Sequence, residues 1–189
     1  MVVLDTCSDD TESMAAQAGA TTIAIHALNV GAARAYGARW AIDRGARWLA
    51  FTDADTVVEP GWISAQLQMG SDAVCGTVAV RDWGSYGEFT RRRYEATYND
   101  AENHRHVHGA NLGVSTRAYL AAGGFPSLES SEDVALVEAL QTSGASLAWS
   151  ALPRVFTSAQ RVFRAPRGFG ATLLRVELES QQLADGAKT

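Results

Sequence analysis

The chain has 189 residues, 47% of them hydrophobic and 20% charged, which suits one compact α/β domain and excludes disordered, collagen-like and coiled-coil classes. No run approaches the ~18 apolar residues that span a bilayer, and the start, MVVLDTCSDD, turns acidic too early for a signal peptide, so a soluble, cytoplasmic protein is expected. A formal net charge of -5 argues against a nucleic-acid binder that works by phosphate neutralisation and leaves room only for a local basic pocket holding one nucleotide.

Cys7 and Cys75 lie far apart and form no metal-type spacing, so both read as reduced thiols. Lys188 is the sole lysine, and the arginine and alanine bias looks like a GC-rich bacterial genome.

Strand-length apolar runs alternate with helical patterns, the rhythm of βαβ units and a mostly parallel, Rossmann-like sheet flanked by helices. Residues 1–4 read as a strand ending at Asp5, 11–18 as a helix and 21–25 as a β-branched strand. After the Asn29-Val30-Gly31 turn, 32–44 is an alanine-rich helix, and 48–51 is a strand that breaks off at Thr52-Asp53-Ala54-Asp55. Pro60 and Gly61 open a helix over 62–69, 73–80 is a strand, and 86–103 is a polar, aromatic, amphipathic helix. Residues 110–114 form a short strand, 116–122 a helix ended by two glycines and 131–142 a helix begun by Ser-Glu-Asp. The strand at 147–149, the extended piece at 155–158 and the helix over 168–183 complete a single domain, 1–189.

Asp53 and Asp55 stand at the carboxyl end of a strand, where open α/β sheets bind ligands, and two such carboxylates can share a hard divalent cation with a diphosphate. Turn-forming aspartates look the same locally. Glu132 and Asp133 open a helix, either as first-turn acids or, beside a cavity, as a general base. Arg34, early in its helix, either faces an anionic nucleotide or points to solvent. Gly109, Ala110 and Asn111 either let backbone approach a ligand closely or form an ordinary packed strand. Arg161 and Arg164 lie in a stretch, 157–167, that either folds over a diphosphate or stays an exposed basic arm. His104, His106 and His108 would share one face of an extended segment, as a minor metal candidate or as ordinary histidines.

In order along the chain, VVLDTCSDDT, NVGAARAYGARWAI, FTDADTVVEPGWI, GANLGVS, GGFPSLESSEDVAL and TSAQRVFRAPRGF resemble the family 2 glycosyltransferases with the glycosyltransferase A fold. The resemblance implies a nucleotide-binding part over 1–80 and an acceptor part with a C-terminal arm over 81–189. By the same resemblance Asp5 contacts the nucleotide base and Arg34 lines that pocket. Asp55 is the direct ligand of Mn²⁺ or Mg²⁺, with Asp53 nearer the ribose and the metal-bound water. Asp133 is the base, Glu132 helps position the acceptor, and Gly109, Ala110 and Asn111 shape the floor beneath donor sugar and acceptor.

The implied reaction is an inverting, metal-dependent transfer from a nucleotide-sugar donor to an acceptor hydroxyl. The family's processive synthases carry Gln-x-x-Arg-Trp, whereas Arg161-Val162-Phe163-Arg164-Ala165 lacks the Trp, which favours single transfer. Peripheral membrane contact and a homo-oligomer stay open. The family also begins with a further strand and helix, about 30–40 residues from the size of a βαβ unit, bearing a Pro-x-x-Asn-Glu type turn. Without it the fold is N-terminally truncated, and a gap is expected between the strand at 2–4 and the strand that ends at Asp53. A binding domain of weak or no activity, or a fragment needing a partner, is the alternative. A nucleotidyltransferase would show a Gly-rich, Lys-containing phosphate loop, and none is visible.

Overall fold

A computed structural model describes residues 1–161 and 168–186. In chain order the elements are β1 (Val2–Asp5), α1 (Thr11–Gln17), β2 (Thr22–Ile25), α2 (Val30–Ile42), β3 (Trp48–Phe51), β4 (Thr56–Val58) and α3 (Trp62–Gln68). They continue as β5 (Ala73–Val80), α4 (Glu88–Thr97), β6 (Leu112–Ser115), α5 (Thr116–Ala121), α6 (Glu132–Thr142), β7 (Leu147–Thr157) and α7 (Phe169–Gly186).

The strands fall into two sheets, a pair β1-β2 and a five-stranded sheet in the order β3-β6-β5-β7-β4. β1 with β2 and β5 with β7 run parallel, whereas β6 runs antiparallel to both β3 and β5, and β4 antiparallel to β7. The α/β class expected from sequence holds, but the sheet is mixed instead of mostly parallel. An apolar run marks a strand without fixing its direction, and β6 returns between its neighbours with no crossover of its own. Among the described residues no backbone ladder joins β1 to β3, so the sheet divides where the family resemblance leaves a strand unaccounted for.

The five-stranded sheet carries the core. β5 is buried from Ala73 to Val78 and lies mid-sheet, as a near-continuous apolar run should. Leu112 of β6 and Leu136 and Leu140 of α6 pack with Cys75, Tyr119 and Phe125 into one cluster. Each leucine is 0% exposed, and burying such a side chain contributes roughly 1.5–3 kcal/mol.

The β1-β2 layer is thinner: Leu4 is its buried strand residue, and α1 buries none. α2 covers β1 closely, since a Cβ on Gly37 would lie 3.1 Å from Val3 Cγ2. Asn29 starts this helix; its backbone is extended and its Oδ1 accepts the Ala32 amide at 2.8 Å.

Three elements differ from the sequence expectation. β4 is new, three residues paired with β7. β7 runs through Pro153 because the β5-β7 register shifts there, from Gly76 opposite Ser150 to Val78 opposite Val155, so the ring occupies a bulge with no ladder amide to supply. α4 stops at Thr97, since Tyr98 takes up extended backbone and turns its ring onto His106.

Candidate active site

The site grows from the carboxyl end of β3, the start of α2, the turn before β6 and the start of α6. Arg34 lies on the buried side of α2, with a side chain only 12% exposed, and its guanidinium pairs with Asp53 through Nη2 and with Glu132 through Nη1. The guanidinium lies flat against Gly109: a Cβ there would collide with its central carbon and both terminal nitrogens. The Phe125 ring centroid is 5.8 Å from the guanidinium carbon, within cation–π range. Gly31, one turn earlier, has no room for a Cβ because the Pro126 carbonyl and the Glu132 side chain fill it.

Asp133 is fixed at the start of α6. Its Oδ2 accepts the Gly109 amide at 2.7 Å and its Oδ1 the Val134 amide at 2.8 Å. Glu132 beside it is buried, and burial pushes its carboxyl up against the pull of its own amide and Arg34, helped by the charges of Asp133 and Asp53. Asp55 is also pushed up, first by desolvation and then by the charge of Asp53. Asp55, Asp53, Glu132 and Asp133 thus form a chain of carboxylates that feel one another, with Arg34 paired to two of them.

The mutual repulsion of Asp55 and Asp53 fits a hard divalent cation between them. Mg²⁺ and Mn²⁺ are commonly held by one or two carboxylates, with water and substrate phosphate completing the shell. Among the described residues no group of three or more His, Cys, Asp and Glu forms a closed metal cage. The three histidines are not such a group: their rings stack 5.5 and 5.8 Å apart. His104 Nδ1 accepts the His106 amide at 3.1 Å, and His108 Nε2 lies 2.9 Å from the Tyr98 hydroxyl. The same hydroxyl accepts the Val78 amide at 3.0 Å. Burial, then the charge of His106, pushes His108 down to about 4.

Asp55 also lines a cleft of about 510 Å³ with Arg81, Asp82, Phe156, Thr157 and Arg161. Arg161 is anchored there by Glu177 and by Ser85 Oγ at 2.7 Å, over the Tyr86 ring. Arg164 lies outside the described residues.

Two of the expected ligand-contacting residues have internal hydrogen-bond partners. Asp5 accepts the amides of Ala27 at 2.7 Å, Leu28 at 2.9 Å and Asn29 at 2.7 Å. Burial raises its carboxyl, but the amides of Ala27, Asn29 and Leu28 together hold it below the ordinary value. They also fix a turn in which Leu28 has φ +49° and is 82% exposed. Asn111 is fully buried, its Oδ1 accepting Trp62 Nε1 at 2.9 Å and its Nδ2 serving the Thr77 and Pro153 carbonyls. Ala110, also buried, belongs to the cluster of Trp62, Val78 and Val155. The sequence reading missed Thr157, whose hydroxyl bonds Thr56 at 3.0 Å beside Asp55, because β4 and β7 pair across about a hundred residues.

The family model described as Glycosyl transferase family 2 matches residues 1–123. No curated protein matches the chain. Among solved structures, residues 1–349 of TarS from S. aureus with UDP-GlcNAc superpose with a TM-score of 0.66 at 12% identity, over 93% of this chain and 54% of that one. Glucosyl-3-phosphoglycerate synthase from Mycobacterium tuberculosis with phosphoglyceric acid gives 0.59 at 18% identity, over 94% and 68%. GalNAc-T7 with UDP, GalNAc and Mn²⁺ gives 0.59 at 12% identity, over 95% and 40%. The chain therefore spans about half the length of that TarS fragment, and at these identities the likeness is one of fold.

Proposed function

Because this chain belongs to glycosyl transferase family 2, we propose that it moves a sugar from a nucleotide-diphosphate sugar to an acceptor hydroxyl by a single inverting displacement. The observation that carries this reading is the convergence of Asp53, from the end of β3, with Glu132 and Asp133, from the start of α6, around Arg34 and Gly109, with Asp55 next to Asp53.

Asp133 takes the proton from the acceptor hydroxyl as that oxygen attacks the anomeric carbon, and the bond to the diphosphate breaks on the opposite face. Its two amide bonds hold both oxygens in place without neutralising them. Glu132 is turned toward Arg34 and supports the wall on which the acceptor would sit. Mn²⁺ or Mg²⁺ held by Asp55 with Asp53 would neutralise the charge that builds on the leaving diphosphate. Gly109 brings backbone close to the donor sugar, and Arg161 borders the cleft beside Asp55 on the side from which the arm at 157–161 could cover the diphosphate. The support for a nucleotide-sugar donor is the family match together with the UDP-GlcNAc and UDP complexes of the structural neighbours.

Calorimetric titration with UDP and Mn²⁺, paired with Asp55→Ala, tests the reading. Binding should need the cation and be lost in the variant. A parent that binds neither, or a variant indistinguishable from it, overturns the transferase reading. The division of the sheet between β1 and β3 favours a second reading, a binding domain with weak turnover; it predicts UDP affinity without measurable sugar transfer.

A further inference from the structure

The geometry points to Arg34 as a positioning residue that clasps the donor-side carboxylate Asp53 to the base-bearing start of α6, not as a ligand of the nucleotide. Four observations converge on it. Both terminal nitrogens of its guanidinium are engaged, one by Asp53 and one by Glu132, residues 79 apart in the chain. Its side chain is 12% exposed, so little of it faces a ligand. The guanidinium rests on Gly109 with no space for a Cβ there, and its central carbon lies 5.8 Å from the Phe125 ring centroid. Gly31 brings the start of α2, which carries Arg34, against Pro126 and Glu132 with no room for a Cβ.

A guanidinium suits this task because its planar fork reaches two acceptors in fixed directions, whereas an ammonium is a point charge. The clasp also explains Gly109 in a new way. The residue that donates its amide to Asp133 is the same one on which Arg34 lies. Any side chain at 109 would push the guanidinium away from Asp53 and Glu132, and Asp133 is covalently next to Glu132. Arg34 therefore sets the spacing between the cation-binding carboxylates and the base without touching either substrate.

The kinetic part of this inference rests on the transferase reading; the structural part does not. Arg34→Gln, Arg34→Lys, Gly109→Ala and the double variant Arg34→Gln/Gly109→Ala are compared in the full chain by three measurements. These are calorimetry with UDP and Mn²⁺, release of UDP from UDP-N-acetylglucosamine at saturating donor, and thermal unfolding. Each single variant should lower turnover by about tenfold or more while leaving UDP affinity within about twofold, and Arg34→Lys should fail to restore turnover although it keeps the charge. The unfolding midpoint should fall in Arg34→Gln and in Gly109→Ala, with little further loss in the double variant, since the collision is gone once the guanidinium is removed. A tenfold or larger loss of UDP affinity in Arg34→Gln that persists at saturating Mn²⁺ would make Arg34 a nucleotide ligand and overturn the clasp. Midpoint losses that simply add would overturn it as well, whatever the ligand. A parent that neither binds UDP nor releases it sinks the transferase reading instead, and the unfolding cycle alone then decides the clasp.

Discussion

The two-stranded sheet and the five-stranded sheet each end at a carboxylate of the candidate site, Asp5 on one and Asp53 just beyond the other, but they secure it differently. Asp53 follows a strand of a sheet whose central strand β5 is buried from Ala73 to Val78, and it is held by Arg34, whose side chain is largely buried. Asp5 follows a strand with one buried residue, in a layer whose helix α1 buries none, and it is held by three loop amides. The apolar sheet fixes its end by packing and can spend an ion pair on connecting the two halves of the site. The thin layer needs its own carboxylate to fix its loop. The end at Asp53 is thus ordered by the packed sheet, and the end at Asp5 by its own loop.

The largest effect tests the packed side. Asp133→Asn should lower turnover by roughly 10²–10⁴-fold with UDP affinity unchanged, read as turnover against calorimetric binding; equal losses in both would move Asp133 from chemistry to donor binding.

Next comes the core contrast. Leu136→Ala should cost about 2–5 kcal/mol in denaturant unfolding, whereas exposed Met14→Ala in α1 should stay within about 0.5 kcal/mol. Similar costs for the two would erase the distinction between the layers.

His108 gives a pH test on the large-sheet side. It is pushed down to about 4 in the fold from an ordinary 6.5, so the unfolded chain binds the proton more readily between those values. Stability is therefore complete above pH 6.5 and is lost as pH falls toward 4, by up to ~3 kcal/mol. In His108→Gln that part of the acid loss should disappear from the pH dependence of unfolding.

The smallest effect belongs to the thin layer. Asp5→Asn should speed hydrogen exchange at Ala27, Leu28 and Asn29 while leaving the β5 amides protected. Because the Asp5 carboxyl is held below its ordinary value, its contribution is present at neutral pH and fades as the solution is acidified below about pH 4. Equal acceleration in β5 would mean that the two layers open together.

Much of the fold was legible because local rules set it. The end of β3 at Asp53, the cap of α2 at Asn29 and the acidic start of α6 each follow from a few adjacent residues. β4 was not legible, since two of its three residues are exposed and its partner lies about a hundred residues away. The reading of 147–149 and 155–158 as separate pieces did not join them into β7, which stays one strand because a bulge opposite Gly76–Val78 takes up the residues between Ser150 and Val155. Within the site, Asp53, Asp55, Glu132 and Asp133 could be picked out because carboxylates at a strand end and a helix start have few local uses. Asp5 and Asn111 carry the same kind of signal, but their side chains are committed to amides and carbonyls that no nearby pattern announces.

The sequence by itself determined most of the strands and helices in order, β4 excepted, and the family, and it picked out the acids that border the candidate site, because hydrophobic period, caps and motif order are local quantities. The tertiary structure alone decided that Arg34 turns inward to join Asp53 with Glu132, that Gly109 must be bare to admit it, and that Asp5 braces its own loop. Those outcomes depend on where α2 meets α6 and β1, a packing geometry set by side chains 20 to 100 residues apart, and periodicity along the chain does not encode it.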